Sequence, residues 1–223
     1  MSRRDYLLDF LERTVQGAGD VLTRMIRLRR KKRKKRALQE ADRFLFEIGL
    51  DPRALDALTP SSLSRLARSG DGETGRLLAC AAVLAEKARV HQEGKDHEDN
   101  SRGMALRERA LVLYLELWKQ HEGKRMRFYR GVIPVLATGT RRSRRSRRSL
   151  YLLALFFERL GRYDLAENEW AELVRRRPEI FSPAARKFYL RLTQKDEVIL
   201  AKGGLPLDEV LEALRTLTPP PSV

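Results

Sequence analysis

The chain has 223 residues, of which 42% are hydrophobic and only 7% aromatic, and its formal net charge is +16. Leu, Ala, Arg and Glu dominate the composition, which favours helices and argues against a large all-β fold. The single cysteine, Cys80, excludes an intramolecular disulfide, and no apolar run is long enough to span a bilayer. Acidic residues interrupt the apolar N-terminal stretch, which argues against a secretory signal, so we expect a cytoplasmic protein.

The positive charge is concentrated in two runs. Residues 27–36 (RLRRKKRKKR) hold nine basic residues, and residues 141–148 (RRSRRSRR) hold six. The other 31 basic residues nearly balance the 30 acidic ones. Two such runs create local fields that can hold a polyanion.

The N-terminal region, residues 1–68, is predicted to contain a long amphipathic helix over residues 3–28, a second over residues 37–48 and two shorter ones. The apolar face of the first helix is formed by Leu7, Phe10, Leu11, Val15, Val21, Leu22, Met25 and Ile26. We expect this face to lie in the core. The alternative is a membrane-surface helix, but its acidic polar face would repel anionic lipid. The basic run should be exposed and partly frayed, because like charges repel along a helix.

A helical domain is predicted over residues 75–216, followed by a flexible Pro-rich tail at 217–223. Residues 75–90 form a strongly apolar helix whose small residues permit close packing, and residues 104–119 form an amphipathic one. The polar stretch 91–103 is predicted to be an exposed connection between them, a long insertion at the turn of a degenerate helical pair. A basic amphipathic segment, 124–136, is limited by Pro134. Residues 137–149 are predicted to be a loop.

Residues 149–178 carry the clearest pattern, two helices joined by a tight turn. The spacing resembles the tetratricopeptide repeat (TPR), a 34-residue helical pair. The matching positions are Leu153, Ala154, Phe157, Gly161, Tyr163, Ala166, Trp170 and Pro178. Leu173 departs from the pattern, which prefers alanine there. The resemblance implies an all-α fold of antiparallel helical pairs stacked as a short TPR-like solenoid.

Helices are predicted over residues 184–192 and 196–201, with a last helix opened by Pro206. Together with RDYLLDFLER and ERLGRYDLAENEWAEL, the stretch FYLRLTQKDEVILAKGGLPLDEVLEALRTL resembles an uncharacterised bacterial domain-of-unknown-function family with TPR-like helices. Its most specific piece is Gly203-Gly204-Leu205-Pro206 followed by Glu209-Val210. The two arginine-rich runs depart from that family's pattern. The resemblance supports the fold and implies no activity.

Catalytic and metal-binding patterns are missing from the sequence. His91 and His97, with Glu98 and Asp99, could hold a divalent metal, but no fixed helical spacing places them, so a solvated loop is favoured. No nucleophile elbow, dinucleotide-binding glycine motif or paired-cysteine motif occurs. We therefore predict a non-enzymatic protein that needs no cofactor or metal.

Two function hypotheses follow. The first is a TPR-like scaffold that binds an unidentified protein, an acidic one if its groove is basic. The alternative is binding of nucleic acid or another polyanion through the basic runs; a membrane partner is disfavoured. The candidate polyanion-binding residues are Arg29, Arg30, Lys31, Lys32, Arg33, Lys34, Lys35, Arg36, Arg141, Arg142, Arg144, Arg145, Arg147 and Arg148. It also stays open whether these runs are merely solvated or pair with acids elsewhere in the fold.

Overall fold

The computed structural model describes residues 3–68, 74–93, 96–120, 126–139 and 144–217, and within these ranges it contains helices and turns but no strand. The predicted all-α class is thereby confirmed. The helices are α1 Arg3–Arg30, α2 Lys34–Glu47, α3 Pro52–Ala57, α4 Pro60–Arg68, α5 Thr74–Gln92, α6 His97–Gln120, α7 Met126–Thr138, α8 Arg147–Arg159, α9 Tyr163–Arg176, α10 Pro178–Leu192, α11 Glu197–Lys202 and α12 Leu207–Leu217. The side chains of Leu7, Phe10, Leu11 and Val15, and all of Arg141 and Arg142, lie outside the described part.

The chain divides into two compact units, Met1–Arg141 and Arg142–Val223. The predicted start of a separate domain at residue 75 does not coincide with this division. Helix α5 packs on α1 and α2, so the N-terminal helices and the α5–α6 pair share one core.

In the first unit, α5 and α6 form a central hairpin, with α1 and α2 packed on α5 and with α4 and α7 packed on α6. Residues 96–102 are mostly exposed, as predicted, but the predicted connection at residues 91–103 is wrong, because α5 continues to Gln92 and α6 begins at His97. Gly103 is buried there: a Cβ would lie only 2.9 Å from the carbonyl oxygen of Ala88. The polar composition of this stretch reflects the exposed first turn of α6, where acidic residues suit the helix dipole.

Helix α7 contains Pro134 in its interior and continues to Thr138. The prediction that Pro134 limits this segment is therefore wrong. A proline inside a helix costs about 3 kcal/mol, but Ile133, Leu136 and Ala137 around it are buried in the unit. Burial of these side chains offsets the loss of one helical hydrogen bond.

The second unit is built on the α8–α9 hairpin. The predicted repeat positions Leu153, Ala154, Phe157, Ala166 and Trp170 are all buried. The other predicted positions shape the turns of this unit: Gly161 adopts φ +71° after α8, Tyr163 is buried at the start of α9, and Pro178 opens α10. Helix α10 thus begins at Pro178 and not at the predicted residue 184.

The Gly203–Gly204 turn lies against the α8–α9 turn. The backbone amide of Asp164 donates to the carbonyl oxygen of Gly203 at 3.1 Å. A Cβ on Gly203 would lie 2.6 Å from the carbonyl oxygen of Gly161, and Gly204 has φ +78°. The two turns approach backbone to backbone, which explains why two glycines are needed here.

Candidate polyanion-binding surface

The first basic run forms the turn between α1 and α2. Helix α1 ends at Arg30 and α2 begins at Lys34, so only three residues of the run are non-helical. The amide of Lys32 donates to the carbonyl oxygen of Arg29 at 2.8 Å, and the amide of Arg33 donates to that of Leu28 at 2.9 Å. These two bonds form a Schellman motif, which satisfies carbonyl groups at the end of the helix.

Lys32 occupies the left-handed position of this motif, with φ +56°. Among the described residues, it is the only residue other than glycine with a positive φ. An L-residue pays roughly 1–2 kcal/mol in this conformation. The turn therefore carries a lysine at a position that glycine would fill without strain.

Two basic residues of the run attach it to the α5–α6 hairpin. The Nε atom of Arg29 donates to Oε1 of Glu86 at 2.7 Å, and its guanidinium also pairs with Glu93. Lys34 pairs with Asp99, whose carboxylate accepts a further bond from Nδ1 of His91 at 3.1 Å. The hydrogen bonds from Lys34 and His91 hold the pKa of Asp99 below its usual range. Arg29 and Lys34 are therefore already neutralised by acids of the same unit.

The other seven basic residues of the run are exposed and have no acidic partner among the described residues. We call them the free turn cations, and they are Arg27, Arg30, Lys31, Lys32, Arg33, Lys35 and Arg36. Seven charges thus lie within ten consecutive residues, held in place by the two neutralised ones. Such a cluster produces a strong local positive potential.

An open pocket of about 460 Å³ lies beside this turn. Arg27 from α1 and Arg36 from α2 line it, together with Gln39. The other charged side chains of the pocket, Arg24 and Glu40, bond to each other at 3.0 Å. The pocket therefore presents two cations and an amide on one side of the α1–α2 hairpin.

Two arginines of the second basic run make contacts within the second unit. Arg145 is buried, and its Nη1 atom donates to Oε1 of Glu169 at 2.7 Å. Ser146 caps α8 by accepting from the amide of Ser149 at 3.1 Å. The guanidinium of Arg148 lies 6.0 Å from the centre of the Tyr151 ring. Arg145 cannot reach a ligand in solvent, whereas Arg144 and Arg147 are exposed.

The sequence missed the acids that anchor the first run. Glu86 is 2% exposed and lies 57 residues from Arg29 in the chain, and Asp99 lies 65 residues from Lys34. Such long-range pairs leave no local pattern. The sequence offers one clue to such a pair: Glu86 lies in a strongly apolar helix, and a carboxylate buried there needs a partner.

No group of three or more His, Cys, Asp or Glu side chains among the described residues could hold a metal ion. His91 and Asp99 are engaged with each other and with Lys34, and His97 is exposed. Burial raises the pKa of the Cys80 thiol to about 12. Within the described helices, none has the length and apolar composition to cross a membrane.

The chain matches a known protein family over nearly its whole length. A model described as "Family of unknown function (DUF6483)" matches residues 1–219. No curated protein and no solved structure matches the chain significantly.

Proposed function

Since the chain belongs to a family of unknown function, its function has to be inferred from its own surface, and we propose that it binds a polyanion, nucleic acid first, through the turn between α1 and α2. The observation that supports this proposal is the set of seven free turn cations. Basic side chains that neutralise phosphates release condensed counterions, which drives binding without any reading of sequence. The expected binding is therefore insensitive to base sequence and steeply dependent on salt.

The strain at Lys32 supports the same proposal. Mutual repulsion among the free turn cations and the left-handed backbone of Lys32 both oppose folding of the turn. A residue kept in an unfavourable conformation points to a functional constraint. A bound polyanion would offset the repulsion, and the positive charge of Lys32 would then contribute to binding.

The test compares two triple variants of the full chain that remove the same charge by the same substitution. One changes the three free lysines of the turn to Gln, and the control changes three exposed lysines elsewhere to Gln. The turn variant is Lys31→Gln, Lys32→Gln and Lys35→Gln, and the control variant is Lys119→Gln, Lys187→Gln and Lys202→Gln. Binding of a short fluorescein-labelled DNA duplex is followed by anisotropy over a series of salt concentrations.

If all seven free turn cations meet phosphates, the plot of log affinity against log salt has a slope of about −6 for the wild type. The turn variant should lose about 3 units of that slope, and the control variant should keep it. Equal losses in the two variants would mean that net charge alone drives binding, and the proposal would fail. It would also fail if the wild type did not bind the duplex at low salt.

A second candidate is a non-enzymatic scaffold in which TPR-like helical pairs bind another protein. The observation that favours it is the burial of the repeat positions within α8–α9, in register with the repeat spacing. A crystal structure of the full chain tests the solenoid directly. Successive helical pairs related by one constant rotation would support it, and pairs related by unlike rotations would contradict it.

A further inference from the structure

We infer that a groove of the first unit, between α1 and α7, binds an acidic amphipathic helix of another protein. This inference deepens the scaffold candidate by naming a surface and the chemistry of its partner. It needs neither the TPR-like solenoid nor polyanion binding at the turn. The shape, the apolar exposure and the charge of this groove support the inference.

The groove has a volume of about 250 Å³ and is lined on both sides by apolar side chains. Its apolar residues include Leu22 and Ile26 on α1, Ala82 and Ala85 on α5, and Val132 and Val135 on α7. Helix α1 packs on α5 and α7 packs on α6, so the small alanines of α5 leave a trough between α1 and α7. Gly131 adds to the space, because a Cβ built there would meet nothing within 4 Å.

Two large apolar side chains of α7 stay exposed, Val135 in the groove and Phe128 next to it. Val135 is 49% exposed and Phe128 is 44% exposed. They lie seven residues apart on α7, two helical turns and about 10 Å along the same face. The ring of Phe128 lies 6.0 Å from that of Tyr114, and Tyr114 is one of the groove residues, so Phe128 extends the apolar surface beyond the groove itself. The apolar strip thus has the length that takes side chains at positions i, i+3 or i+4, and i+7 of a helix.

The charges around the groove are basic. Helix α7 has no acidic residue, and its Arg127 and Arg130 are exposed. On α1, Arg30 follows Ile26 by one turn and is also exposed. Among the described lining residues the single acid is Glu86, which is buried and bonded to Arg29 and Arg89. Complementary charge therefore favours a helix with acidic residues beside its apolar face.

The probe is a fluorescein-labelled helical peptide with Leu at i, i+4 and i+7 and Glu on both flanks, measured by anisotropy against the full-length protein. One control peptide replaces each Glu by Lys, and the other keeps the composition but shuffles the Leu spacing. The groove variant is Val135→Gln. Its matched control is Phe46→Gln, which changes a 75% exposed side chain of α2 outside the groove.

The acidic amphipathic peptide should bind the wild type, and Val135→Gln should weaken it about tenfold because one apolar contact is lost. Phe46→Gln should leave binding within about twofold, and the Lys peptide should bind much more weakly. The turn variant should also keep peptide binding, so failure of this inference and failure of polyanion binding are separable.

Three results would overturn the inference. The first is no binding of the peptide, and the second is equal binding of the shuffled peptide, which would mean attraction by charge alone. The third is a homodimer in analytical ultracentrifugation that Val135→Gln dissociates, which would place a second copy of this chain in the groove.

Discussion

Replacing Lys32 by Gly should make the protein more stable and weaken its binding to DNA. Four described helix ends close with the same pair of Schellman hydrogen bonds, those of α1, α2, α8 and α11. Glycine occupies the left-handed position in three of them, Gly49 (φ +75°), Gly161 (φ +71°) and Gly204 (φ +78°). At the end of α1 the same position holds Lys32 with φ +56°.

The size of the effect follows from two opposing contributions. Removing the strain of the left-handed Lys32 stabilises the folded state by roughly 1–2 kcal/mol. The extra conformational freedom of glycine in the unfolded chain reduces this gain in stability by roughly 0.5–1 kcal/mol. We expect a net gain of about 0.5–1 kcal/mol, which raises Tm by about 2 °C in a chain of this size. Loss of one phosphate contact should make the salt slope shallower by about 0.9.

Lys31→Gly is the matched control, because Lys31 precedes Lys32 and its φ is not positive. It removes the same charge from the turn without relieving strain, so it should lose the same DNA affinity and gain no stability. Thermal unfolding by circular dichroism and anisotropy with the DNA duplex measure both quantities. A Lys32→Gly variant that is no more stable than Lys31→Gly would contradict this prediction, and so would one that is stabilised but binds DNA as tightly as the wild type.

Three further predictions concern the fold. Gly103→Ala should cost about 1–2 kcal/mol through overpacking against α5, whereas Gly131→Ala should gain about 1 kcal/mol from helix propensity; urea unfolding measures both, and losses at both sites would contradict it. Glu169→Ala removes the carboxylate that the buried Arg145 bonds and should cost about 3 kcal/mol; an unchanged urea midpoint would contradict this prediction. Hydrogen bonds, of which that from Arg175 contributes most, lower the pKa of Glu172 from 4.5 to about 2. The stabilisation from ionised Glu172 is present above pH 4.5 and is lost as the pH falls towards 2, so Glu172→Gln should flatten the acid side of the curve of stability against pH. An unchanged curve would contradict a stabilising contact between Glu172 and Arg175.

Local pattern carried most of the fold prediction. The α8–α9 hairpin follows from helical spacing, a glycine turn and a closing proline, which are all features of neighbouring residues. The continuation of α5 and α6 through residues 91–103 does not follow from local pattern, because glycine and polar residues are also common in loops. Gly103 is required there by the close approach of α5, which only the packed structure reveals.

The sequence likewise predicts only part of the candidate site. The sequence located the basic run, because charge density is local. It could not separate the anchoring residues Arg29 and Lys34 from the free ones, since their acidic partners come from α5, the α5–α6 turn and α6. It equally grouped Arg145 with exposed arginines, although Glu169 holds it inside the second unit.

The most direct measurement of the central claim is the acetylation rate of individual lysines in the unmodified full chain, read by mass spectrometry with and without a DNA duplex. The lysines of interest are Lys31, Lys32 and Lys35, and the reference lysines are Lys119, Lys187 and Lys202. The account predicts that DNA slows acetylation of the turn lysines alone and that high salt removes this protection. Equal protection of both groups, or protection of neither at low salt, would contradict it.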